Sequence, residues 1–446
     1  MNDFDNDVKA LIDRVAGPVL RPGDEGYDEE RTGFNLAARH APDVIVGAVG
    51  AGDVRAAVEF AAARGLAVAV QGTGHGISVA AEGGVLVSTR RMTDVRVDPE
   101  TCTARVGAGA RWGDVIERAA PYGLAPLNGS APHVGVLGYT LGGGLPLLGR
   151  SHGYAADRVL GMDVVTADGR LRHVTPDGEP DLYWALLGGR DNFGIVTGLE
   201  FGLVPVARLY GGGLFFDAAE VPGVLAAYLR WTGTVPERMN SSVALIPFPD
   251  VPGVPEELRG RRVLHVRVAF TGPPEEGERL VEPLRAIGPR LMETLRDLPY
   301  AECASIHDDP PVPMPWTSDD VLLGEPDDAA IRTIDERIGQ GDLIVELRHL
   351  GGALSRPPAH PNAVGHRDAR YLLVELHPGA EPRAKELVRA LAPWSVGRFL
   401  NLMGHGEDAG PEQVRSAYDP ADLERLTALK AVYDPRGTFG ITYRVR

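Results

Sequence analysis

Gly72, Gly74 and Gly76 alternate with Thr73 and His75 in the run V-A-V-Q-G-T-G-H-G-I-S at 68–78. Lacking a Cβ, these glycines let backbone approach a ligand closely and take up positive φ. Successive N–H groups in such a loop can form a concave nest for an anion such as a pyrophosphate, with His75 held against whatever is cradled. Alone, G-T-G-H-G describes equally well a turn carrying a solvated histidine. Two further tracts tip the balance. The longest, N-G-S-A-P-H-V-G-V-L-G-Y-T-L-G-G-G, fills 128–144, and G-G-R-D-N-F-G-I-V fills 188–196. Glycines in such number are costly inside a packed helix or strand. The expectation for 128–144 is therefore irregular backbone running close to a large flat or extended ligand. Three such tracts in an acidic chain point to a large anionic cofactor lying between two domains.

The elements that must carry these loops read as a mixed fold. Strands are expected at 43–46 and 67–70, with a helix at 54–64 between them that Asp53 can cap and Gly65 can stop. That β-α-β order implies a partly parallel sheet. Hairpins are expected at 95–106, around D-P-E-T, and at 159–174, around A-D-G. Beyond residue 207 the character changes. Strand-like runs at 243–246, 263–270, 343–350 and 371–376 alternate with helical runs at 222–230, 277–287, 327–340 and 384–392. That alternation predicts an antiparallel sheet with helices on one face. A helix at 421–433 and a short tail strand close the chain. The class is α+β.

With 446 residues, two domains are expected. A formal net charge of -16 argues against nucleic acid or an anionic membrane surface as partner. Cys102 and Cys303 make neither a disulfide framework nor a metal-ligand spacing, so no metal is expected. The start, M-N-D-F-D-N-D, has no basic n-region, and no apolar run reaches membrane-spanning length. These features make the cytoplasm the expected compartment; they do not fix an oligomeric state.

Several motifs then fall into one order and spacing: P-G-D-E-G-Y-D at 22–28, Asn35, V-Q-G-T-G-H-G, V-G-A-G-A-R-W at 106–112, the L-G-G-G tract, D-L-Y-W-A-L-L-G-G with N-F-G-I-V-T, and L-K-A-V-Y-D-P-R-G-T-F at 429–439. The chain resembles the FAD-linked oxidases of the berberine bridge enzyme-like group, within the vanillyl-alcohol oxidase (PCMH-type FAD-binding) superfamily. The likeness covers 7–206 and 410–446 and is weak between them. It implies a two-part FAD-binding domain, 1–206 and 410–446, around an inserted substrate domain at 207–409 with an antiparallel sheet and helices. It further implies a covalent bond from His75 to the flavin 8α-methyl. Ala131 stands where some members carry a second, cysteinyl tether, so a single bond is implied. Val134 matches a position that bears on oxygen access. Flavin contacts are implied for Gln71, Gly72, Thr73, Gly74, Gly76, Ile77, Gly138, Tyr139, Gly142, Gly143, Ile195, Val196 and Tyr443, and a loop-stabilising role for Asp157. Gln71 replaces a frequent arginine, and G-I-T-Y-R at 440–444 replaces an asparagine-rich end.

Passing a hydride from an alcohol or amine to a flavin needs a group that accepts or holds a proton. Tyr418 precedes the last helix in a region that lies over the flavin in the related enzymes; it serves as that group or caps the core edge. His366, Arg367, Tyr371 and Glu375 fall near one strand of the substrate sheet, where residues of one parity share a face. Tyr418, His366 and Tyr371 are the expected catalytic residues, and His133 could reach the flavin edge. A Rossmann-type enzyme is disfavoured: V-G-A-G-A-R-W-G matches G-x-G-x-x-G poorly and lacks the acidic residue after a next strand. The expected function is oxidation of an alcohol, sugar hydroxyl or amine of a small secondary metabolite, with O2 as acceptor and peroxide as product. A flavin dehydrogenase with another acceptor, or a non-redox ligand-binding relative, are the alternatives.

Overall fold

A computed structural model describes residues 3–338, 343–379, 386–404 and 410–445. Among these the strands form three sheets. In the first, Val19–Leu20, Val44–Gly47, Val85–Ser88 and Val68–Gln71 lie in that order, the last three parallel. Val44–Gly47 and Val85–Ser88 are buried throughout, as parallel strands covered on both faces require. Helix Ala51–Arg64 packs on this sheet and ends at Gly65, whose φ of 65° suits a residue without a Cβ.

The second sheet is antiparallel, in the order Val95–Asp98, Thr103–Gly107, Ile195–Gly202, Val159–Val165 and Leu171–Val174. Both expected hairpins are present in it. Trp112, Met162, Leu186 and Phe193 fill its core.

The third sheet has nine strands, all within 208–397. Its period-2 alternation sorts side chains cleanly. Leu214, Val266, Val243, Leu347 and Leu373 point one way. There they bury against Tyr228, Val281, Ile334 and Leu387 from helices Val224–Thr232, Pro274–Arg285, Asp328–Ile338 and Glu386–Ala390. The opposite face carries the register row Phe215, His265, Ala244, Glu346 and Val374. Residues 339–340 and 384–385 of the two expected helices, and the expected domain boundary at 409, lie outside the described residues.

The end of the chain returns to the first two sheets. The Val68 N–H donates to the Thr438 carbonyl at 2.7 Å, and Lys430 Nζ to the carbonyls of Asn192 at 2.6 Å and Phe439 at 3.0 Å. Two local expectations are corrected. Residues 440–445 form no strand. The 128–144 tract contains a short helix, Val136–Leu141, with only Gly138 inside it; Gly135 and Gly142 serve as its flanks. Among the described residues no helix is long and apolar enough to cross a membrane.

Candidate active site

Strand Val68–Gln71 delivers the first glycine loop. Gly74 has φ 67°, and a Cβ there would overlap Gly33 Cα, so this position demands glycine. Segment 33–35 grips the loop: the N–H of Phe34 donates to Thr73 O at 2.9 Å and that of Asn35 to Gly74 O at 3.0 Å. The Asn35 amide also bonds Trp316 backbone, at 3.0 Å and 3.2 Å, tying the loop to the nine-stranded sheet. Thr73 Oγ1 accepts the Gly135 N–H at 3.2 Å and lies 2.9 Å from His75 Nδ1. One hydroxyl thereby joins the first and second tracts and fixes the imidazole. The His75 ring stacks on Phe34 at 4.0 Å and lies 4.9 Å from the His133 ring. Burial, with His133 and Arg111 nearby, lowers its pKa to about 3, so the ring is neutral.

The loop opens onto a cavity of 720 Å³, within the size range of ligand sites. Gln71, Gly72, Thr73, Gly74, His75, Gly76 and Ile77 line it from the first tract, Ala131, His133, Val134, Gly138 and Tyr139 from the second, and Val196 from the third. A Cβ at Gly76 or Gly138 would meet nothing within 4 Å. Among the described residues, Gln71 Oε1, His75 Nε2 and the Tyr139 hydroxyl are buried without a partner. Burial outweighs the opposing charge of Arg348 and pushes the Tyr139 phenol well up, so it stays protonated. Bare backbone beside open volume, with polar atoms awaiting partners, suits a large, flat, polar ring system. The residues present therefore fit FAD.

Four expected flavin contacts lie off this cavity. Gly142 and Gly143 are packing glycines: a Cβ at Gly142 would overlap Asn401 Oδ1, and one at Gly143 would press on Val364. Ile195 points into the core of the first sheet. Tyr443 donates its hydroxyl to the carbonyls of Met403 at 3.0 Å and Gly404 at 2.8 Å.

The three expected catalytic residues also lie elsewhere. The Tyr418 hydroxyl donates to Gly188 O at 2.9 Å inside the second-sheet core. His366 Nε2 donates to Ser416 O at 3.0 Å. Tyr371 sits on the helix-covered face of its strand, bonded to Thr232 Oγ1 at 2.6 Å. Glu375 shares that parity and bonds His377 and the Val388 N–H. Arg367 is committed to Asp157, which also accepts the Tyr154 N–H at 2.9 Å. Asn192 ties Gly189 to Tyr443, at 2.8 Å to each carbonyl.

The opposite cavity wall is the row-bearing face of the nine-stranded sheet. It presents His265 and Arg267 from one strand and Glu346 and Arg348 from another, with His307 beside them. Arg267 Nη1 donates to Glu346 Oε1 at 3.0 Å, while Arg348 Nε and Nη2 donate to Oε2 at 2.9 Å and 2.8 Å. Burial pushes the Glu346 carboxyl up, but Arg348, His307 and Arg267 outweigh it and hold it well below the usual range. Arg267 Nε donates to His265 Nδ1 at 3.1 Å. Burial lowers His265 well below its ordinary value, leaving it neutral. Sequence reasoning passed over this row. Its signal is the shared alternation His265-Val266-Arg267 and Glu346-Leu347-Arg348, which places charge on one face of two otherwise apolar strands.

Fold and cavity together define an FAD-linked oxidoreductase, similar to the berberine bridge enzyme-like, PCMH-type oxidases. Residues 42–175 match an FAD binding domain family. The chain is 29% identical to (R)-6-hydroxynicotine oxidase of Paenarthrobacter nicotinovorans, over 97% of each. The crystal structure of a 6-hydroxy-D-nicotine oxidase from Arthrobacter nicotinovorans superposes with TM-score 0.82 at 25% identity, covering 97% of this chain and 98% of that one. A glucooligosaccharide oxidase from Acremonium strictum, with a 6-S-cysteinyl, 8α-N1-histidyl FAD, shares the fold with TM-score 0.84 at 22% identity, covering 100% and 99%.

Proposed function

We propose that this enzyme holds FAD covalently through His75 and oxidises a small organic molecule, an alcohol, sugar hydroxyl or amine of secondary metabolism, with release of hydrogen peroxide. The observation that carries this reading is the single cavity in which the glycine tracts, the orphaned polar atoms and the nine-stranded sheet meet. Bound FAD supplies the two-electron acceptor, and O2 takes the electrons onward. The loop at 72–76 positions the cofactor through backbone. His75, neutral and pinned between Thr73 and Phe34, offers the lone pair that a bond to the flavin 8α carbon needs. Ala131 brings no sulfur, so the tether is single. Val134 is small enough to leave O2 an approach. In this reading 1–206 and 410–446 form the FAD domain and 207–409 the substrate domain. The two free cysteines accord with a reducing cytoplasm.

The test is a panel of alcohols, sugars and amines mixed anaerobically with the purified protein while flavin absorbance is followed, then exposed to air. Bleaching followed by peroxide is the expected result. Bleaching that persists in air would replace the oxidase with a dehydrogenase using another acceptor. A protein that cannot take up flavin would overturn the reading.

A further inference from the structure

The sheet side of the cavity carries information about what enters it. Glu346 has about four acceptor sites, as any carboxylate does, and donors face all of them. Oε1 receives Arg267 and lies 3.4 Å from His307 Nε2; Oε2 receives two N–H groups of Arg348. It therefore has no lone pair left to bind a substrate hydroxyl or to accept a substrate proton. Its role is to hold two guanidiniums side by side. Each keeps donors to spare: Arg267 Nη2 and Arg348 Nη1 have no acceptor among the described residues. Burial leaves His265 and His307 neutral, so the row of two guanidiniums and one carboxylate keeps one positive charge. Asp308 and Asp309 also border the cavity. Asp309 acts on Arg348 and His307 and offsets part of that charge, but Asp308 is exposed and Asp309 half-buried, so water screens them more than it screens the row.

Around this row the wall is largely apolar, with Thr294, Ser305 and Ser318 as its hydroxyl side chains. Phe215 stacks on His265 with ring centroids 3.8 Å apart. Ile246, Phe248, Leu258, Met292 and Leu376 continue the surface, Phe248, Leu258 and Met292 through a small hydrophobic cluster with Phe215. An oligosaccharide, with hydroxyls on every edge, would leave these groups facing polar atoms. A planar or aliphatic body would not.

We propose that the substrate is an amphipathic anion: a compact apolar body bearing one carboxylate-like group, whose oxygens are received by the free N–H groups of Arg267 and Arg348. This rests on the cavity being the place where an organic substrate meets bound flavin. It deepens that reading by naming the charge and character of the substrate.

The experiment is calorimetric titration of the purified holoprotein with four probes: cinnamate, its neutral amide cinnamamide, the cation cinnamylamine, and cellobiose. Cinnamate is expected to bind at least about tenfold more tightly than the amide, because hydrogen bonds to a charged acceptor are about twice as strong as neutral ones, and cellobiose should bind more weakly still. In Arg348→Met cinnamate should lose more affinity than the amide, so that the preference for cinnamate over the amide vanishes. Should that variant fail to fold, the four probes on the unaltered protein decide alone. Equal or tighter binding of the amide, the amine or cellobiose overturns the proposal, as does absence of cinnamate binding at millimolar concentration. The heat signal does not depend on flavin. A protein that prefers cinnamate but carries no flavin would keep this assignment and lose the oxidase reading, and the reverse result would do the opposite.

Discussion

Gly138 and Gly142 lie four residues apart, and the structure assigns them opposite jobs. Gly138 is inside helix Val136–Leu141, lines the cavity, and a Cβ there meets nothing within 4 Å. Gly142 closes the same helix at φ -91°, ψ 11°, a conformation alanine accepts, yet a Cβ there would overlap Asn401 Oδ1. In Gly142→Ala the Asn401 amide must move, and its 2.7 Å bond to Tyr139 O goes with it. A lost hydrogen bond costs about 1 kcal/mol, and overpacking adds about 1–3 kcal/mol. The expected loss is about 2–4 kcal/mol, read as a lower urea midpoint. The Cβ of Gly138→Val meets no protein atom within 4 Å, and the helix propensities of the two residues differ by only a few tenths of a kcal/mol. The chain should fold unimpaired. The new side chain instead occupies volume assigned to the flavin. About 1.4 kcal/mol of overlap lowers affinity tenfold, so flavin per protein, read from visible against protein absorbance, should fall. Full flavin content in Gly138→Val would refute the cradle. An unchanged urea midpoint in Gly142→Ala would refute the packing argument.

Other expectations follow from the same geometry. Tyr418→Phe should leave the rate of flavin reduction unchanged and cost about 1–2 kcal/mol in urea unfolding, because Gly188 O loses its buried donor; slowed reduction with unchanged stability would return Tyr418 to the chemistry. Acid should weaken the fold through two neutral histidines that accept hydrogen bonds. Burial lowers His40 to about 4 and His349 to about 3, while His40 Nδ1 accepts the Ala81 N–H and His349 Nε2 accepts from Arg150. Their unfolded pKa is about 6.5, so below that the unfolded chain binds more protons. Stability is whole above about pH 6.5 and should fall toward about pH 4, at up to about 1.4 kcal/mol per pH unit per histidine. Urea midpoints at about pH 7.5 and about pH 5.5 measure this; a flat profile, or one rising toward acid, would contradict it.

Some of this is legible in the sequence and some is not, for reasons that differ by element. The first loop is legible because glycines at alternate positions directly after a strand mark backbone that must bend and pack closely, and Gly74 indeed sits where no Cβ fits. In the 128–144 tract, the three consecutive glycines at its end mask the short helix Val136–Leu141 just before them, so the whole stretch reads as irregular. Tyr371 misleads because Tyr371, Leu372, Leu373 and Val374 are buried on both faces of the strand; with no polar alternation, parity cannot be assigned. The Arg267 to Glu346 pairing joins residues 79 positions apart. Only the register of the intervening strands brings them together, and no local pattern encodes that register. Tyr418 and Tyr443 are polar groups buried to bond carbonyls, which a sequence does not separate from groups buried to do chemistry.

The most direct test of the central claim is an absorption spectrum of the purified protein before and after acid precipitation, run beside His75→Ala. The account predicts that flavin colour stays with the unaltered pellet and passes to the supernatant in His75→Ala. Acid-stable flavin in His75→Ala, or colour released from the unaltered protein, would contradict the tether. A colourless protein that cannot be reconstituted with FAD would contradict the account as a whole.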